Sequence, residues 1–323
     1  MNDEIPAVVP ASTSSVGRWL KIVVAVVAVG LLALALWRQR DGVAVAVERL
    51  SALDLVVAGI FGAAGVMTAG LSWRLSLSSV AGGRPLPLSV SARVYFVSQL
   101  GKYIPGSLWP VVIQAEMTRR YGLGRAQNAA GMLIAILIGL VTNACVAAVA
   151  VVLVDRQLLE SYWYVLLVIP AAIVLLMPRV LVGVVTFGAR MLRRRVEVPS
   201  PQPAALFAAA AWCLLSWVLF GLHAWVLASA IGGAGVALGI AIGGYALAWM
   251  VGFLAILAPA GVGAREGVLV LAFSSVLTSS EALLLAVVSR LLLTVVDALA
   301  GLVGVLIGWR SSATSGSPPP SRD

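Results

Sequence analysis

Charge is what this sequence has least of. Only 11% of its 323 residues are Asp, Glu, Lys or Arg and 61% are hydrophobic, whereas about a quarter of a soluble domain is charged. Such a chain cannot dress a water-facing surface. Histidine occurs once, at His223, so no histidine-based metal cluster can form. Cysteine occurs twice, at Cys145 and Cys213, each inside a long apolar run, and no disulfide is expected. There is no P-loop and no Asp-x-Asp motif. These absences argue against ordinary catalysis and against ATP as an energy source. No catalytic residue, cofactor or metal is expected.

What the sequence does have is a series of apolar runs near the roughly 20 residues needed to cross hydrocarbon. Spans are expected over residues 19–37, 53–73, 128–154, 162–181, 204–231, 236–257 and 281–309. Pro170 and Pro178 should kink the fourth. Gly59, Gly62, Gly65 and Gly70 should let another helix approach the second closely. A shorter apolar stretch, 265–278, either crosses or dips and returns. The expected fold class is all-α: a polytopic integral membrane helix bundle of seven or eight transmembrane helices with two Pro/Gly-broken re-entrant segments. Residues 1–17 and the Ser/Pro-rich 311–323 read as disordered tails around a membrane domain at 18–310.

The net charge of +9 follows from loop asymmetry and does not call for nucleic acid as a partner. Thirteen basic residues fall on one side: Arg18, Lys21, seven within 74–126, and Arg190, Arg193, Arg194 and Arg195. Four fall on the other: Arg38, Arg40, Arg49 and Arg156. The richer side is cytoplasmic, and the N-terminus with it. Arg190 to Arg195 would meet anionic lipid there.

Two stretches break the apolar pattern. The first reads Gly101-Lys102-Tyr103-Ile104-Pro105-Gly106-Ser107-Leu108-Trp109 and separates half-helices at about 91–103 and 108–121. The second reads Pro259-Ala260-Gly261-Val262-Gly263-Ala264-Arg265-Glu266-Gly267. Irregular backbone at membrane depth survives only where protein or a water-filled cavity satisfies it. Paired Pro/Gly-interrupted segments are a sequence pointer to a transporter's binding site. Freed N–H groups at half-helix starts favour anions, and Lys102 and Arg265 add full positive charge. A phospholipid or polyprenyl phosphate headgroup suits such a place. Two interfacial loops ended by ordinary proline and glycine would leave the same pattern.

Arg290 and Asp297 lie in the last apolar run, close to two helical turns apart and so on one face, with Thr294 between them. A charge at the bilayer centre costs at least ~2.5 kcal/mol. The two residues either line a polar cavity, meeting a headgroup or Glu266, or are tied up by snorkelling and a neighbouring helix. The residues assigned to the headgroup are Gln99, Lys102, Tyr103, Pro105, Gly106, Pro259, Gly261, Gly263, Arg265, Glu266, Arg290 and Asp297. Glu116 either pairs with Lys102 or a headgroup amine or stays solvated beside Arg119 and Arg120. His223 reads as a packed core residue.

Through these two motifs and the final helix the chain resembles the lysylphosphatidylglycerol synthase transmembrane region, a flippase-like family, from about residue 20 to 310. Ala260 stands where family members often have the first of two glycines. The resemblance implies an integral membrane lipid flippase-like protein. In the synthases this region moves the aminoacylated lipid, and a separate soluble domain makes it. With only a short tail after Arg310, no lysylphosphatidylglycerol synthesis is expected here. Membrane lipid is the expected partner, along with a cell-envelope biosynthetic enzyme. The Ala/Val/Leu-rich, Arg-biased composition suggests a GC-rich bacterium, hence a plasma membrane. The competing readings are a membrane glycosyl- or phosphotransferase and a non-catalytic partner of such an enzyme.

The orientation is directly testable. In a Cys145→Ala, Cys213→Ala background, a cysteine placed by Arg193→Cys should react with an impermeant maleimide only once the cytoplasmic face is opened. Labelling of intact cells would reverse the orientation.

Overall fold

The computed structural model describes residues 37, 44–45, 47–81, 85–103, 109–119, 121–154, 160, 163–191, 200–232, 235–255 and 263–314. Among the described residues there are helices and no strands. In chain order they are α1 (Ala52–Val80), α2 (Leu88–Gln99) with a 3₁₀ turn over Leu100–Tyr103, α3 (Trp109–Arg119) and α4 (Arg125–Val154). A 3₁₀ turn at Trp163–Leu167 leads into α5 (Val168–Leu175). Then come α6 (Pro178–Met191), α7 (Pro203–Gly232), α8 (Leu238–Leu254), α9 (Ala264–Phe273) and α10 (Ser279–Thr314).

The helices start where their caps dictate. Before α1, Ser51 Oγ accepts from the Asp54 N–H at 3.2 Å, and Asp54 Oδ2 accepts from the Ser51 N–H at 3.0 Å. Thr278 and Glu281 do the same before α10, at 3.4 and 2.9 Å. Each reciprocal pair satisfies two donors that a helix start leaves open. Arg49 then ties three ends together: its Nη1 donates to Glu281 Oε1 at 2.8 Å and to the Ile231 carbonyl near the end of α7 at 2.9 Å.

Inside a membrane, apolar side chains gain little from leaving lipid for protein, so close packing through small residues holds helices together. α7 lies antiparallel along α1 in the most extensive helix pair of the structure. Gly62 faces His223 of α7 and Leu293 of α10, and Gly65 faces the Phe220 ring. Gly59 meets Leu292, and Gly70 meets Tyr95 of α2. The four glycines thus serve three neighbouring helices, not one. α8 returns against α7 through Gly221 and against α4 through Gly243.

One more seam decides where the polar residues meet. α2 runs antiparallel along α10, with Leu100 over Gly301, Val97 and Phe96 over Gly304, and Arg93 over Gly308. That register sets the 3₁₀ turn after α2 beside α10 one turn before Gly301. A Cβ at Gly101 would meet Pro110 N at 3.1 Å and the Trp109 carbonyl carbon at 3.2 Å, so α3 starts directly on the turn. Buried bonds from Gln114 Nε2 to Ser98 Oγ (2.9 Å) and from Thr118 Oγ1 to Asn128 Oδ1 (2.6 Å) lock α2, α3 and α4 together.

Among the described residues four helices are long and apolar enough to cross a membrane: Ala52–Val80, Gln127–Ala150, Pro203–Gly232 and Ser279–Trp309. α8, at 17 residues, is apolar but shorter. The fourth expected span is not one helix. Trp163–Leu175 and Pro178–Val184 meet at 92°. Pro178 opens α6, where its missing N–H costs nothing, and the preceding Leu176 and Met177 lose the helical course. Pro170 sits within the first turn of α5 and does not break it. Counting that bent pair as one span makes five among the described residues, against the seven or eight expected. The expected first span, 19–37, lies outside the described residues apart from Trp37, as do Pro105, Gly106, Pro259 and Gly261. The helices on either side of each break, α2 with α3 and α8 with α9, pack on each other.

The tightness of the α7–α8 seam can be measured. A Cβ at Gly221 would fall 2.4 Å from Ile242 Cγ1 and 2.6 Å from its Cα. Gly221→Val should cost about 1–3 kcal/mol by overpacking, read as a lower unfolding midpoint in detergent. Gly139→Val, at a site with nothing within 4 Å, should lose far less. Equal midpoints would refute the seam.

Candidate functional site

The α2–α10 register brings the 3₁₀ turn to Asp297, and the turn supplies two groups. Lys102 Nζ lies 2.6 Å from Asp297 Oδ2. Tyr103 donates its hydroxyl to the same oxygen at 2.6 Å and lies 3.3 Å from Thr294 Oγ1. Asp297 is 1% exposed, and its other oxygen, Oδ1, is buried with no hydrogen-bond partner. Lys102 reaches the surface, with its side chain 36% exposed. The cluster is therefore a buried carboxylate closed on one side by a half-exposed ammonium.

Two turns earlier on α10, Arg290 donates from Nη1 to Glu266 Oε1. Glu266 is 3% exposed and sits in the first turn of α9. Its Oε2 accepts from the Gly263 N–H at 2.6 Å. Gly263 itself holds φ at +87°, a left-handed conformation that costs glycine little. The start of α9, where the sequence suggested room for an external anion, is thus met by the chain's own carboxylate. Thr294, between the two pairs, turns its hydroxyl back to the Arg290 carbonyl at 2.8 Å.

Arg265 points elsewhere. Its Nη2 donates to the Tyr245 hydroxyl on α8, and its guanidinium carbon stands 4.8 Å from the centre of the same ring. Among the described residues it makes no ion pair with a carboxylate. Tyr245 is 1% exposed and is stacked against Phe220 at 5.9 Å. Behind it, Ser289 Oγ is 2.9 Å from His223 Nε2, and His223 Nδ1 is 2.9 Å from the Ala58 carbonyl. A carbonyl only accepts, so Nδ1 carries the proton and Nε2 accepts from Ser289. His223 is the satisfied core residue expected from its isolation.

The expected single network of Glu266, Arg290 and Asp297 is therefore two pairs on one helix face. Glu266 holds Arg290, and Asp297 holds Lys102 and Tyr103. Lys102 and Arg265, expected to grip one phosphate together, have different partners here. Gln99 is half-buried at the end of α2. Glu116 pairs with Arg119 at 3.6 Å, with both side chains mostly exposed, and stays out of the cluster. Among the described residues no group of three or more His, Cys, Asp or Glu side chains could hold a metal.

Comparison with known families fits this architecture. The family model described as lysylphosphatidylglycerol synthase TM region matches residues 18–301. The chain belongs to that family. No curated protein matches it. The family match covers both broken segments and Arg290 and Asp297 of α10, and so all of the cluster described above.

Sequence reasoning missed Tyr245 and Ser289. A tyrosine inside the glycine-rich apolar run of α8 was the available signal, since a buried hydroxyl needs a partner.

The Glu266–Arg290 pair has a measurable signature. Removing one partner of a buried pair is costly. Because the Arg290 side chain is 25% exposed, Glu266→Ala should lose about 2 kcal/mol, less than a fully buried pair would. Combining it with Arg290→Ala should lose less than the two single losses together. Strict additivity of the unfolding midpoints would mean that the pair is not energetically coupled.

Proposed function

We propose that this chain is a lipid flippase-like protein that binds an anionic headgroup at the α2–α9–α10 cluster and moves the lipid between leaflets. The observation that carries this reading is the charge inventory of the cluster. Lys102, Arg265 and Arg290 meet only two described carboxylates, Glu266 and Asp297. One positive charge is left over, on Arg265, in the first turn of α9 in an apolar protein. A guanidinium suits a phosphate, which accepts two parallel N–H bonds from it. The aromatic and hydroxyl contacts of Tyr245 keep Arg265 aimed without neutralising it.

Membership of a family defined by a membrane region supports a membrane lipid as what the chain handles. The lipid is a phospholipid or a polyprenyl phosphate. Its supply or use belongs to a cell-envelope biosynthetic enzyme in the same membrane. The protein sits in the bacterial plasma membrane, multi-pass, with its N-terminus in the cytoplasm. A gradient or downstream consumption of the lipid drives the movement.

Reconstitution tests this. Liposomes carrying the purified chain and fluorescent phospholipid or polyprenyl-phosphate probes are exposed to an impermeant reductant. The wild-type chain should bleach the protected inner-leaflet signal faster than empty liposomes. Arg265→Ala should reduce that excess rate by tenfold or more, with unchanged insertion. Equal rates for both proteins, or no excess rate with any probe, would overturn the proposal.

A further inference from the structure

The Lys102–Asp297 contact has a feature that a purely structural ion pair does not need. A buried carboxylate is expected to have both oxygens satisfied. Asp297 is held through Oδ2 alone, by Lys102 Nζ and the Tyr103 hydroxyl, each at 2.6 Å, while Oδ1 has no partner. Both donors come from one short 3₁₀ turn, Leu100–Tyr103, next to the Pro/Gly break. The acceptor lies in the interior of the longest described helix.

The two sides therefore differ in mobility. Asp297 cannot leave without unwinding α10. Lys102 and Tyr103 can leave by re-forming one turn, and Lys102 is already 36% exposed. Among the described residues, the other ionisable groups facing this point are Tyr95 on α2, Tyr245 on α8 and Arg290 on α10 itself. Arg290 already has Glu266.

Resting on the headgroup reading above, we infer that Asp297 is an internal competitor of the headgroup phosphate for Lys102, so that the Lys102–Tyr103–Asp297 contact is a latch that closes the empty site. A phosphate oxygen arriving at Lys102 takes the place of Asp297 Oδ2. The 3₁₀ turn then swings with its ligand away from Asp297, while α2 keeps its seat on the glycines of α10. When the phosphate leaves, the unpaired buried carboxylate recaptures the ammonium. The exchange is between two anions for one cation, so the site has no stage at which Lys102 is both buried and unpaired. Ligand affinity is accordingly lower than the same cations would give if Asp297 were neutral.

The test measures binding, separately from transport. The full chain in zwitterionic nanodiscs is titrated with short-chain phosphatidylglycerol, following intrinsic tryptophan fluorescence. Asp297→Asn should bind it more tightly than wild type by on the order of tenfold, the scale of one charge-assisted hydrogen bond. Tyr103→Phe, which removes one donor to Asp297 and no charge, should tighten binding by a smaller factor and guards against a folding defect in Asp297→Asn. Lys102→Ala added to either should cancel the gain. Wild-type binding with equal or weaker binding in both single variants would overturn the latch and leave the headgroup reading standing. Absence of binding in wild type and in every variant would overturn both.

Discussion

Helix α10 carries a buried aspartate and a mostly buried arginine in an apolar run, and the arrangement of its neighbours answers that constraint. Each charge is met by a residue from a different broken segment. The first segment sends Lys102 and Tyr103 to Asp297, and the second sends Glu266 to Arg290. Neither segment is a long helix able to hold its own place by spanning the bilayer. Each is fixed to the bundle partly by its ion pair, and in turn each ion pair exists only because the segment is docked. The charges and the docking of these short elements stabilise one another.

That mutual support depends on close packing elsewhere. The stripe Gly301, Gly304 and Gly308 lets α2 lie against α10 in the register that puts its terminal turn at Asp297. Gly101 lets the next helix begin on that turn. At the other end, Arg49 gathers the starts of α1 and α10 and the end of α7. A short polar chain, Ser289 to His223 to the Ala58 carbonyl, joins α10 and α7 to α1 behind Tyr245. With few hydrophobic forces available between helices in lipid, small residues and directed bonds carry the specificity that a core would supply in water.

The sequence made the class of protein legible, because apolar runs and scarce charge have one reading in chains of this length. The four long helices lie close to where the hydropathy placed them, since periodic, uninterrupted apolar segments leave little choice. It also marked both broken stretches and the charges of α10, since each breaks a local rule. It expected a kink at Pro178 but not that the 92° bend there divides the span into two helices, because a proline that opens a new helix looks the same as one that kinks an old one. Tyr245 escaped notice because nothing local shows that its hydroxyl faces Arg265.

What the sequence determined by itself, then, is an all-helical membrane protein with two interruptions and a small set of charges that demand partners. Burial cost and backbone chemistry act on each residue locally, so they can be read from one chain. Only the tertiary structure decided who the partners are. Asp297 takes Lys102 from 195 residues away and Glu266 takes Arg290, while Arg265 goes to an aromatic hydroxyl. Pairing at such separations is set by helix register, and register is set by which glycine lies under which side chain, a property of packed surfaces that the linear order of residues does not express.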